Sequence, residues 1–67
     1  MTHEAILTKD YLSFHDSKSG ELVFQCTFEK LRAQALILQI KYSEYIKQCI
    51  NHLLNHFSVS LTAVTII

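Results

Sequence analysis

Alternating apolar and polar positions predict two neighbouring strands in the first half of the chain. In ELVFQCTF every second residue from Leu22 to Phe28 is apolar, and YLSFH upstream alternates in the same way, as strands with one buried face do. The segment HDSKSGE between them is rich in turn-forming residues and holds the chain's single glycine, Gly20, which suits a backbone position with positive φ. The pattern predicts an N-terminal β-hairpin around Gly20. A weaker alternation through AILTKD extends its first strand, with a bulge near Asp10.

A helical period of apolar residues follows this hairpin. Between Phe28 and Phe57 the chain has no glycine, proline or aspartate, and Thr27 and Glu29 suit an N-cap and a first helical turn. At 100° per residue, one stripe along this segment is formed by Phe28, Leu31, Ala35, Leu38, Tyr42, Ile46, Cys49, Leu53 and Phe57. We therefore predict one long α-helix over residues 28–57.

A competing interpretation concerns residues 34–42. QALILQIKY also alternates, so a third strand is compatible with this segment, with a shorter helix beginning at Ser43. That arrangement needs a tight turn within FEKLRAQ, which lacks turn-forming residues. The long helix is therefore preferred, and the choice between helix and strand for residues 34–42 stays open at this point.

The C-terminal run SVSLTAVTII is rich in β-branched residues and alternates from Val59 to Ala63, which predicts a strand. The predicted fold is α+β with the order ββαβ: an N-terminal β-hairpin, one long α-helix and a C-terminal β-strand. A three-stranded sheet packs on the helix. Residues 1–67 are expected to form a single small domain.

The predicted helix has more apolar surface than so small a chain covers. Ala33, Leu36, Ile37 and Ile40 lie outside the main stripe, so residues 33–40 are apolar nearly all round. Domains of this size often complete their core by association. We therefore predict that these four residues form an oligomer or partner interface, in a homo-oligomer, with a two-fold dimer as the simplest form. A different protein partner is compatible with the same surface.

The charge and the hydropathy of the chain disfavour nucleic acids and membranes as partners. Six basic residues balance six acidic ones in a chain that is 49% apolar, so no strong field attracts phosphates or an anionic membrane. Nucleic acid is therefore disfavoured as a partner. It is kept as the alternative function, that of a small nucleic-acid-binding regulator, in which a dimer gathers four basic residues into one surface: Lys30, Arg32, Lys41 and Lys47. No segment predicts a signal peptide or a membrane span, so a cytoplasmic protein is expected.

The segment CINHLLNH is the strongest candidate for chemistry. His52 and His56 are one helical turn apart, a spacing from which two imidazoles hold one metal ion. Cys49, however, lies roughly 10.5 Å along the axis from His56, too far for all three to bind one ion. The preferred interpretation places Tyr45, Cys49, His52 and His56 on the border of the apolar stripe.

No metal ligand set and no cofactor are predicted, although metal binding by His52 and His56 stays open. Cys26 and Cys49 lie on apolar faces, where thiols are unreactive. The single glycine excludes a glycine-rich phosphate loop, and the acidic residues are scattered along the chain. The sequence therefore predicts a non-enzymatic interaction or regulatory module, such as an adaptor, an inhibitor or a subunit.

Overall fold

The computed structural model describes residues 2–67 and has two helices and a four-stranded mixed sheet with the strand order β3-β2-β1-β4. The elements in chain order are β1 (His3–Leu7), β2 (Tyr11–Asp16), β3 (Leu22–Thr27), α1 (Phe28–Leu38), α2 (Tyr42–His56), a 3₁₀ turn (Leu61–Ala63) and β4 (Val64–Ile66). The α+β class is confirmed. The predicted three-stranded sheet and single long helix are wrong in detail.

The first strand is separate because the chain turns at Thr8. The Thr8 hydroxyl accepts hydrogen bonds from the N–H groups of Asp10 and Tyr11, both at 3.1 Å, and the Thr8 N–H donates to the Tyr11 carbonyl at 2.9 Å. Such a hydroxyl competes locally with the strand ladder and closes a turn. The bulge predicted near Asp10 is therefore a tight turn, and β1 and β2 pair antiparallel from Leu7 opposite Leu12 onwards.

The hairpin around Gly20 forms as predicted, with Gly20 at φ 76°. Its N–H donates to the Asp16 carbonyl at 2.8 Å, and the Asp16 N–H donates to the Glu21 carbonyl at 2.9 Å. A β-bulge lies beside this loop, since Phe14 pairs with Phe24 whereas the next residue, His15, pairs with Leu22. The bulge takes Leu22 out of the inward-facing row of β3 and leaves it half exposed.

The Asp16 carboxylate stabilises the same loop. Its Oδ1 accepts from the N–H groups of Lys18 at 2.8 Å and Ser19 at 3.0 Å, and these bonds, led by that of Ser19, hold the pKa of Asp16 below its ordinary value. Because this pKa is lowered by folding, the stabilisation is present above the pKa of the unfolded chain. It is lost as the pH falls through the lower folded pKa.

Asp16→Asn is accordingly expected to destabilise the protein at pH 6 and to destabilise it less at about pH 3, because the stabilisation declines once the pH falls below the unfolded pKa of about 4 toward the lower folded pKa. Urea unfolding of both proteins at the two pH values measures the difference. Glu21→Gln is the control, because it removes a carboxylate from the same loop. A difference between Asp16→Asn and wild type that does not change with pH contradicts this account.

The single helix predicted over residues 28–57 is interrupted at Gln39. Thr27 caps α1 as predicted, accepting from the Lys30 N–H at 3.3 Å, but α1 ends at Leu38. Gln39 adopts the left-handed conformation, with φ 58° and ψ 38°. The alternative strand over residues 34–42 is wrong too, since residues up to Leu38 are helical; α2 nevertheless begins at Tyr42, one residue from the start that this alternative predicted.

A Schellman motif explains this break. The Ile40 N–H donates to the Ala35 carbonyl at 3.0 Å, and the Gln39 N–H donates to the Leu36 carbonyl at 3.2 Å. Glycine usually occupies the left-handed position, because a residue with a side chain pays about 1 to 2 kcal/mol there. Here a glutamine takes it, so the sequence carries no sign of the break.

The second helix ends in the same way. Ser58 has φ 56°, its N–H donates to the Asn55 carbonyl at 3.2 Å, and the Val59 N–H donates to the Leu54 carbonyl at 2.9 Å. Leu54 and Val59 are both buried, so this cap is also a core contact. The predicted C-terminal strand is shorter than expected, because Val64–Ile66 alone is extended; it pairs parallel to β1, with Val64 opposite Ala5.

The core lies between the sheet and α2. Its buried members are Ala5, Leu12, Phe14, Leu54 and Val59. Phe57, just after α2, stacks on Phe14 with ring centroids 4.4 Å apart. Within residues 2–67, neither helix has the length and apolar character needed to cross a bilayer.

Candidate interaction surface on helix α1

Several large apolar side chains are exposed at the end of α1 and just after it. Leu36 is 81% exposed, Ile37 73%, Leu38 52% and Ile40 37%. Ala33, one turn earlier, is also exposed. We call these five residues the α1 patch. It contains all four residues of the predicted interface together with Leu38, which the sequence placed in the buried stripe.

The patch is exposed because α1 packs through one narrow side. Phe28 and Leu31 are half-buried, and Ala35 is 2% exposed. The remaining eight residues of the helix are exposed. Because α1 folds back beside α2 instead of continuing into it, Leu38 leaves the buried stripe. In the sequence Leu38 lies between the apolar residues Ile37 and Ile40, which indicates that it belongs to the same patch. The prediction of one straight helix placed it in the buried stripe instead.

Three patch residues share one groove. Ala33, Leu36 and Ile40 line an open cavity of about 460 Å³ between α1 and the start of α2, together with Glu29, Arg32, Ala35 and Tyr42. The Arg32 guanidinium closes one side, with its Cζ 4.5 Å from the centroid of the Tyr42 ring. Arg32 is one of the four residues of the alternative basic surface, and its guanidinium makes a cation–π contact with this ring.

A second apolar groove lies where α1, α2 and β3 meet. It also measures about 460 Å³ and is lined by Phe24, Cys26, Leu31, Tyr45, Gln48, Cys49, His52 and Leu53. Both cysteines are free and half-buried, and burial raises the pKa of the Cys26 thiol. A hydrogen bond with Cys49 is the main cause that raises the pKa of Tyr45. A raised thiol pKa disfavours the thiolate, which is the nucleophilic form.

The histidines of CINHLLNH lie on the exposed side of α2. The rings of His52 and His56 are 6.4 Å apart between centroids, and His56 packs edge-on against Phe57 at 4.9 Å. Among residues 2–67, no three or more histidine, cysteine or acidic side chains come together in a way that holds a metal ion.

Other apolar side chains are exposed at the two sheet edges. Leu22, Val23 and Phe24 of β3 are between 39% and 51% exposed, while Ile66 and Ile67 at the β4 edge are each 77% exposed. The Ile67 N–H still donates to the Leu7 carbonyl at 2.9 Å, which continues the pairing of β4 with β1. The α1 patch differs from both edges, since it combines high exposure with several consecutive large side chains.

The whole molecule exposes more surface than its mass requires. Its accessible surface is 5028 Å², about 700 Å² more than the roughly 4,300 Å² expected of a folded monomer of this size. The shape agrees with this excess, with principal extents of 39 × 18 × 18 Å. Comparison with protein-family models, with curated proteins and with solved structures finds no match for this chain.

Proposed function

We propose that this protein is a small non-enzymatic interaction module, an adaptor, inhibitor or regulatory subunit, that acts as a homodimer through the α1 patch. The observation that carries the proposal is the exposure of Leu36 and Ile37, at 81% and 73%, beside other large apolar side chains. Apolar patches of this kind mark association surfaces in small proteins.

The exposed surface is large enough for a stable protein–protein interface. A stable interface buries about 800 Å² on each side, close to the excess of about 700 Å² that this chain exposes over a monomer of its mass. Burying apolar surface contributes about 25 cal/mol per Å² before the entropy of association is subtracted.

A second copy suits the patch for electrostatic and geometric reasons. The chain has six acidic and six basic residues, so two copies do not repel each other at long range. In an antiparallel two-fold pair, the small Ala33 of one copy faces the large side chains of the other, which permits close helix approach.

Sedimentation equilibrium of the purified protein is the direct test. We expect a reversible monomer–dimer equilibrium with a dissociation constant in the micromolar range or below, which corresponds to about −8 kcal/mol or stronger binding. A folded monomer that persists at high micromolar concentration removes the homodimer proposal. If a larger complex then forms only with other cellular proteins, the occupant of the patch is a different chain.

Nucleic-acid binding remains the alternative function and has its own readout. It depends on Lys30, Lys41 and Lys47 coming together in the dimer, because Arg32 already contacts the Tyr42 ring. Binding that weakens steeply with salt concentration supports this alternative. Absence of binding to single- or double-stranded DNA and RNA at low salt removes it.

A further inference from the structure

The connection between the two helices is short and strained. Gln39 holds the left-handed conformation at φ 58°, and with Ile40 and Lys41 it forms the three-residue link between Leu38 and Tyr42. None of the three is glycine or proline, and glutamine and lysine favour helix. A non-glycine residue stays in this conformation only where the surrounding packing holds it.

The residues on both sides of the link remain in helical phase with each other. The apolar stripe continues at 100° per residue from Phe28 through Leu38 and Tyr42 to Phe57. Straightened at residues 39–41, the segment is one helix of residues 28–56, about 44 Å long. What keeps α2 folded back in the monomer is its packing on its own sheet, through Leu54 and through Phe57 on Phe14.

From this we infer that two copies dimerise by exchanging residues 42–67, with residues 39–41 becoming helical and joining α1 to α2. The inference rests on the proposed homodimer and describes its form. In it, α2 of each copy packs on the sheet of the other copy, and β4 pairs with the partner copy's β1 in the register that Val64 and Ala5 have in the monomer. Each exchanged contact is retained, as in other domain-swapped proteins.

The exchange explains why the exposed residues flank the link. Leu36, Ile37 and Ile40 lie within four residues of Gln39. Two straightened helices that are related by a two-fold axis pass each other near this point, because each chain crosses there from its own sheet to that of its partner. The dimer therefore gains burial of the α1 patch and release of two left-handed residues, and short hinges under strain favour such an exchange.

Gln39→Gly separates this dimer from one formed by simple surface contact. Glycine relieves the strain of the left-handed position in the folded-back form and disfavours the straight helix, so the equilibrium shifts by at least about tenfold for each hinge. A dimer has two hinges, so we expect its dissociation constant to rise at least about 100-fold. Sedimentation of the two proteins measures the ratio.

Ser58→Gly is the matched control. Ser58 is also a left-handed non-glycine residue at a helix end, with φ 56°, but it lies within the exchanged segment. The substitution removes the same backbone strain at residue 58 in the monomer and in the dimer. We therefore expect the dissociation constant to stay within about twofold of wild type. Both glycine variants are expected to fold, since both remove strain.

The intrachain distance between the two helices gives the direct readout. Spin labels on ketone-bearing residues at the exposed positions Lys30 and Asn51 leave both cysteines intact. In an exchanged dimer of one labelled and one unlabelled chain, the two backbone positions are about 32 Å apart along one straight helix. In the monomer α1 folds back beside α2, where Leu31 shares a groove with Cys49 and His52, so the distance is much shorter.

The outcomes distinguish the two proposals. Absence of any dimer removes the homodimer and the exchange together. A dimer that keeps the short intrachain distance, or that Gln39→Gly leaves unchanged, overturns the exchange and leaves the homodimer standing as a surface contact. Three results together support the exchange. The intrachain distance is long, Gln39→Gly weakens dimerisation, and Ser58→Gly leaves the dissociation constant unchanged.

Discussion

Replacing Phe14 with alanine is expected to leave the chain largely unfolded at 25 °C. The Phe14 side chain is fully buried, and its ring stacks on that of Phe57 at 4.4 Å with an angle of 21° between the planes. Truncating a buried phenylalanine to alanine lowers the free energy of unfolding by about 3 to 5 kcal/mol. A core of this size rarely supplies more than about 3 to 5 kcal/mol of net stability. Far-UV circular dichroism and urea unfolding measure the result.

Phe24→Ala is the matched control for this substitution. Phe24 lies opposite Phe14 on the neighbouring strand, and its ring centroid is 5.8 Å from that of Phe57, but the side chain is 39% exposed. Phe24→Ala removes the same atoms as Phe14→Ala, but from a site that water already reaches. We therefore expect it to cause less than half the loss of stability that Phe14→Ala causes. A Phe14→Ala protein that loses no more than Phe24→Ala contradicts the assignment of Phe14 to the centre of the core.

Local turn chemistry made part of this fold predictable. Gly20 and its polar neighbours identified the hairpin loop, and Thr27 identified the start of α1, because each acts through atoms close in sequence. Thr8 carried a similar local signal, a hydroxyl that accepts from the backbone two and three residues later. Interpreting its segment as a bulged extension of one strand concealed β1.

The break between the helices could not be predicted in this way. Gln39 and Ser58 both take the conformation that glycine usually occupies, so a search for glycine and proline finds neither turn. The apolar stripe nevertheless placed the end of the second helix at Phe57, one residue after its end at His56. The cause lies in tertiary packing: the turn at Ser58 places Val59 beside Leu54 in the core, and the turn at Gln39 lets α1 lie against α2. The left-handed conformation at Gln39 and at Ser58 is therefore set by the packing of whole elements, which the residues close to each position in the sequence do not indicate.

Leu36, Ile37 and Ile40 are exposed for a reason other than the one that the sequence indicated. The expectation that one unbroken helix has more apolar surface than a hairpin covers is lost with the break at Gln39. Leu36, Ile37 and Ile40 are nevertheless exposed, because α1 is short and packs through a narrow side. Their role as an interface therefore stays a prediction, and its support is now the exposed fraction of each side chain.

The sharpest test of that role is the double substitution Leu36→Lys with Ile37→Lys. Each dimer loses four large apolar side chains and gains four charges in the same place. At about 1.5 kcal/mol or more for each buried side chain, the dissociation constant is expected to rise at least about 1,000-fold. Sedimentation equilibrium of the variant and the wild type measures this change.

The monomer should tolerate the same substitution, and this separates loss of the interface from loss of the fold. Leu36 and Ile37 are 81% and 73% exposed, so we expect the urea midpoint to correspond to wild type within about 0.5 kcal/mol at concentrations where both are monomeric. Lysine also suits the last turn of α1, which has no basic residue. Asn51→Lys with Asn55→Lys adds the same charge to the exposed face of α2 and should keep the dimer. If both double variants dimerise equally well, the α1 patch is not where two copies meet.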